Sequence, residues 1–126
     1  TVVRMNQLIE AAEPPAMDKV GRDGYMHKLV RYTATKEASA ELVKHEVRVI
    51  VGDFFKQDNS PAGLFDLVNN IMKTASKARQ NIDMEAANQL LELVNQFAEA
   101  FWKAKNVATK RAPSNQAAGG EFVVPA

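Results

Sequence analysis

The sequence predicts an all-α protein, an antiparallel bundle of four or five helices followed by an extended C-terminal tail. Three observations lead there. Apolar residues recur at helical three- and four-residue spacing over most of the chain, the two clearest stripes are joined by a link too short for anything but a hairpin, and the last twenty residues lose that period.

The clearest helices come late. In "DNSPAGLFDLVNNIMKTASKARQ", Ser60 suits an N-cap and Pro61 the first helical position, where its missing N–H costs nothing. Leu64, Val68, Ile71 and Ala75 form the apolar stripe, with Phe65 and Met72 beside it, and Lys73, Lys77 and Arg79 suit the C-terminal end of the dipole. In "NIDMEAANQLLELVNQFAEAFWKAKN", Asp83 is the N-cap and Glu85 lies in the first turn. Ala87, Leu91, Val94, Ala98 and Phe101 carry the stripe, widened by Leu90 and Phe97. Residues 61–105 therefore read as one helical hairpin.

Upstream, "KEASAELVKHEVRVIVGDFFKQ" carries Val43, Val47, Ile50 and Phe54 at four-three-four spacing. Val47, Val49 and Val51 alternate like a strand, and Gly52 costs a helix about 1 kcal/mol. Alternation breaks at Ile50, so helix is preferred. At the N-terminus "VVRMNQLIEAAE" reads as a short helix with Val2, Met5, Ile9 and Ala12 in line, stopped by Pro14-Pro15. "KVGRDG" has turn chemistry at Gly21 and Gly24, and "YMHKLVRYTAT" reads as a helix bearing Met26, Leu29 and Val30, with an extended piece as the alternative. Residues 1–106 form the bundle and 107–126 the tail. In the tail Phe122, Val123 and Val124 make an apolar hook on a polar leash, expected to dock on its own bundle or on a neighbouring subunit.

Composition narrows function without naming one. A 126-residue chain with formal net charge +1 forms one domain and projects no strong field towards nucleic acid or membranes. It has no cysteine, which removes disulfides, thiolate nucleophiles and Cys-ligated zinc. No apolar run reaches the length of a membrane span. The first residue is Thr1, which reads as a trimmed initiator or a cut precursor, and the compartment stays unassigned.

Candidate chemistry is sparse. Glu41 and His45 share a helical face in "ELVKHE", with Glu46 adjacent, and a carboxylate orienting an imidazole is one part of an acid–base or metal site. An exposed i, i+4 pair explains them as well. His27 stands alone, so no metal or cofactor is expected. "VGRDG" follows no strand and lacks the Lys-Ser/Thr of a phosphate loop. Methionines 5, 17, 26, 72 and 84 read as core filler. Lys103, Lys105, Lys110 and Arg111, with Trp102 just before them, form a basic arm that could bind nucleic acid by stacking and phosphate contacts.

The reading that follows is a non-enzymatic structural or accessory subunit, partnered by other protein subunits in a self- or hetero-assembly, with terminal segments as docking latches and no small-molecule substrate. A nucleic-acid-binding protein using residues 103–111, or a small enzyme using Glu41 and His45, are the alternatives.

Overall fold

The computed structural model describes residues 1–13 and 18–126. Its elements run α1 (Val2–Glu10), α2 (Lys19–Asp53), α3 (Leu64–Gln80), α4 (Met84–Ala104), β1 (Thr109–Pro113) and β2 (Glu121–Pro125). The protein is mostly helical, with one small two-stranded sheet. The proposed stop at Pro14-Pro15, and Met17, lie outside the described residues.

The hairpin of α3 and α4 forms where periodicity and capping agree. Asp83 caps α4, its Oδ1 accepting from the Ala86 N–H at 2.9 Å. The two helices bury Leu64, Ile71, Ala75 and Ala78 against Ala86, Ala87, Leu90 and Phe97. Alanines at these positions let the backbones approach closely. Phe65, expected beside the stripe, is 81% exposed.

The start of α3 corrects the proposed cap. The helix begins at Leu64 behind Gly63, whose φ of 79° is left-handed and suits glycine. Ser60 is committed elsewhere, its hydroxyl donating to the Lys56 carbonyl at 2.6 Å in the preceding turn.

The segments from Lys19 to Asp53 are a single 35-residue helix, not a turn and two helices. Gly21 and Gly24 are helical. Asp18 supplies the N-cap, accepting from the Gly21 N–H at 2.7 Å, and α1 and α3 both pack along α2. The Asp18 cap and the packed remainder of the helix offset the roughly 1 kcal/mol that each glycine costs. After α2 the chain turns through two rings that lock it to α4: Phe54 meets Phe101 at 4.7 Å and Phe55 meets Phe97 at 5.9 Å between centroids.

The tail is not an extended leash. Residues 109–125 form an antiparallel β-hairpin in the register Thr109↔Pro125 to Pro113↔Glu121. Its turn contains Gly119 and Gly120 at φ 73° and 85°, and a Cβ on Gly120 would lie 2.9 Å from Leu91 Cδ2. The left-handed φ favours glycine at both positions, and at Gly120 a Cβ would also require the Leu91 side chain to move.

Candidate functional site

Two polar centres organise the bundle. The first lies under the α3–α4 link, where α1 and α2 each send in one buried side chain. Asn6 donates through Nδ2 to the Asp83 carbonyl at 3.2 Å, and Lys36, 1% exposed, donates through Nζ to the Asn81 carbonyl. A three-residue link has few backbone partners of its own, and these two donors take up its inward carbonyls. Asn6 Oδ1 is buried and has no hydrogen-bond partner among the described residues. Burial lowers the Lys36 pKa, opposed by the nearby Glu37 carboxylate.

The second centre fastens the β-hairpin to α4. Asn95 acts as a substitute strand: its Nδ2 donates to the Glu121 carbonyl at 2.9 Å and its Oδ1 accepts from the Val123 N–H at 3.2 Å. Arg111 forks onto Glu92, Nη1 and Nη2 reaching the two carboxylate oxygens at 2.5 and 2.9 Å, while Nε donates to Glu99 at 3.0 Å. From α1, Gln7 Nε2 donates to the Ala118 carbonyl at 3.0 Å. Replacing Asn95 by Ala should orphan both β2 groups and weaken docking by about 2–3 kcal/mol. Amide exchange would then rise across residues 109–125 while the α3 and α4 amides stay protected.

Arg111 hydrogen bonds, followed by Gln96, hold the Glu92 carboxyl down to about 2, and the hydrogen bonds to Glu92 and Glu99 raise the Arg111 pKa. A depressed carboxylate stabilises docking above its unfolded value of 4.5 and loses that contribution as pH falls towards 2. Hairpin protection factors, normalised to the intrinsic rate at each pH, should therefore fall between pH 4.5 and 2 in the wild type. In Glu92→Gln the acid-dependent change should shrink.

These contacts place the residues singled out from sequence. Arg111 is engaged by two carboxylates, and the Lys105 ammonium lies 4.8 to 5.9 Å from the ring centroids of Phe54, Phe101 and Trp102. Lys103 and Lys110 are exposed, and Trp102 is half-buried. Val123 and Val124 are half-buried in the hairpin. Phe122 is 44% exposed beside a cleft of about 250 Å³ lined by Thr1, Val3, Leu91 and Ala118. Glu41 Oε1 accepts from Lys44 at 3.2 Å and Arg79 at 2.9 Å. His45 points to open solvent, and the structure does not join it to Glu41 in a pocket. Asn6, Lys36 and Asn95 went unnoticed in the sequence. Lys36 at a core position of a helical stripe was the one available signal.

With this fold in view, the chain's relationships become definite. The family model for nickel-containing superoxide dismutase matches residues 1–105, all four helices, and the chain belongs to that family. The β-hairpin lies beyond the matched residues. The chain is 33% identical over 100 residues to the Superoxide dismutase [Ni] of Streptomyces seoulensis, covering 77% of this chain and 76% of that protein. The Superoxide dismutase [Ni] of Streptomyces coelicolor (strain ATCC BAA-471 / A3(2) / M145) shows the same identity and coverage. No solved structure matches the chain.

Family membership overturns the expectation of a non-enzymatic structural or accessory subunit. The family is one of oxidoreductases. The reason is physical: residues 1–126 carry no local catalytic motif, whereas kinship is spread over the whole helical pattern.

The nickel implied by the family name does not fit these residues. The sequence supplies no thiolate. His27 and His45 stand eighteen positions apart on α2, a separation of about 27 Å along a straight helix. Among the described residues no three His, Cys, Asp or Glu side chains gather as a ligand set. The one orphaned buried side-chain atom among the described residues, Asn6 Oδ1, is a neutral amide oxygen, a poor ligand for a divalent ion that prefers imidazole or sulfur.

Proposed function

We propose that this protein is an oxidoreductase whose substrate is superoxide. The observation that carries the reading is the family match across residues 1–105, supported by two relatives named for that activity. The reaction consumes two superoxide anions and two protons and yields dioxygen and hydrogen peroxide. Residues 1–126 provide the helical body around which it is organised, with α1, α2 and the α3–α4 link held by Asn6 and Lys36. No ligation step is assigned to them.

The test is superoxide loss measured on the purified protein, with its metal content counted separately. Superoxide loss faster than in buffer carrying the same metal content is expected. Protein that leaves superoxide decay unchanged would overturn the reading.

The protein also assembles with copies of itself under this reading. Supporting it, α2 leaves Leu42 and Val49 exposed on the side opposite Lys36, Ala40 and Val47, which already pack on the bundle. No helix is long and apolar enough to cross a membrane among the described residues. Light scattering on the full chain should give a mass above that of one 13.9 kDa chain.

A further inference from the structure

The outer face of α2 carries a pattern that its own chain does not use. Thr35, Ala38, Leu42, His45, Val49 and Gly52 follow at three- and four-residue steps, and all six are exposed. They lie on the side of the helix opposite Lys36, Ala40 and Val47, which are buried in the bundle. Leu42 is 57% and Val49 41% exposed. A single-sided surface helix would carry charges there. Gly52 adds to the anomaly, because a Cβ on it would meet nothing within 4 Å in this chain. Its own fold offers no packing reason for a residue that weakens the helix.

We propose that this seam pairs antiparallel with the same seam of a second copy of the chain, centred between Leu42 and His45. This rests on the self-association put forward above and names its surface. In this register Ala38 faces Val49, Leu42 faces His45 and Thr35 faces Gly52 of the second copy. Large residues meet small ones in four of the six layers, and Leu42 packs against an imidazole in the other two. Small residues at the outer layers allow the two helices to approach closely.

Charge selects the orientation. Glu41 and Arg48 flank the seam on the same side. Antiparallel pairing brings Arg48 of each copy to Glu41 of the other, giving two symmetric opposite-charge contacts. Each group has capacity left for this. Lys44 and Arg79 both use Glu41 Oε1, leaving Oε2 free. Arg48 has no carboxylate partner among the described residues, and its one polar contact is to the Met72 sulfur at 3.8 Å. A parallel, in-register pair would instead place Glu41 against Glu46 of the second copy, a repulsive contact. A two-fold symmetric interface of this kind closes on itself.

Absence of native cysteine makes the register readable by cross-linking. Full-length Ala38→Cys, Val49→Cys and the double variant Ala38→Cys/Val49→Cys would be oxidised and run without reductant, beside light scattering of the unsubstituted protein. Positions 38 and 49 lie eleven residues apart on one helix, roughly 16 Å, so they cannot close within a chain. The expected result is near-complete covalent dimer in the double variant and little in either single variant. Leu42→Glu should lower the solution mass while leaving helicity by circular dichroism unchanged. An oligomer with no cross-link in the double variant, or one in which Ala38→Cys alone cross-links, overturns the seam and leaves self-association standing. A monomeric wild type removes self-association, and the seam with it.

Discussion

Truncating Lys36 to Ala should destabilise the protein by about 2–4 kcal/mol, visible as a lower urea midpoint at unchanged slope. The side chain is buried at the junction of α2 and the α3–α4 link, and its Nζ satisfies the Asn81 carbonyl. Removing it opens a cavity and orphans a second acceptor beside Asn6 Oδ1, which already has none. Lys36→Met keeps most of the volume and removes the buried ammonium. Its cost should stay below that of Lys36→Ala, since it opens no cavity and avoids the desolvation of a charge, although the Asn81 carbonyl still loses its donor.

The pair also separates packing from charge through pH. Burial lowers the Lys36 pKa from 10.5, with Glu37 opposing. At pH below both folded and unfolded values the buried ammonium carries its full desolvation cost. As pH rises through the lowered folded value towards 10.5, the folded state releases its proton first and gains stability relative to the unfolded chain. Wild type measured against Lys36→Met should therefore improve towards alkaline pH. A flat difference would show that the lysine is solvated in the folded protein.

Phe97→Ala should cost about 3–5 kcal/mol, a large share of the 5–15 kcal/mol that holds a domain of this size. Phe97 is 4% exposed in the core between α3 and α4, and its ring meets Phe55 edge-on at 5.9 Å. It therefore joins the helical hairpin to the end of α2. Truncation removes apolar burial and an aromatic contact together, and a close-packed core collapses poorly into the space. Phe97→Leu should recover more than half of the loss. Trp102, the one tryptophan, reports both variants by fluorescence without altering either site.

The candidate site was less legible than the fold. Glu41 and His45 share a helix but not a pocket, because Glu41 turns to Lys44 and Arg79 while His45 faces water. The residues that do organise the molecule, Asn6, Lys36 and Asn95, are ordinary polar residues in the sequence. Each gains its role from a backbone segment between 26 and 77 positions away. No local pattern encodes such a partner. The enzyme class was likewise hidden, since it is expressed across the helical body and not by a motif within residues 1–126.

Sequence alone determined the helical class, the Asp83 cap and the existence of the α3–α4 hairpin. Periodicity, capping and link length are properties of neighbouring residues, and the local free energies agree with the final packing. Tertiary structure decided the rest. It carried α2 through Gly21 and Gly24, where local propensity argues for a break, by continuing the helix from the Asp18 cap into the segment that packs on α1 and α3. It moved the start of α3 to Gly63, because Ser60 found a nearer acceptor. It also turned the tail into a docked hairpin: a strand pair this short is marginal alone, and Asn95 with the Arg111 fork supplies the hydrogen bonds and charge that hold it against α4.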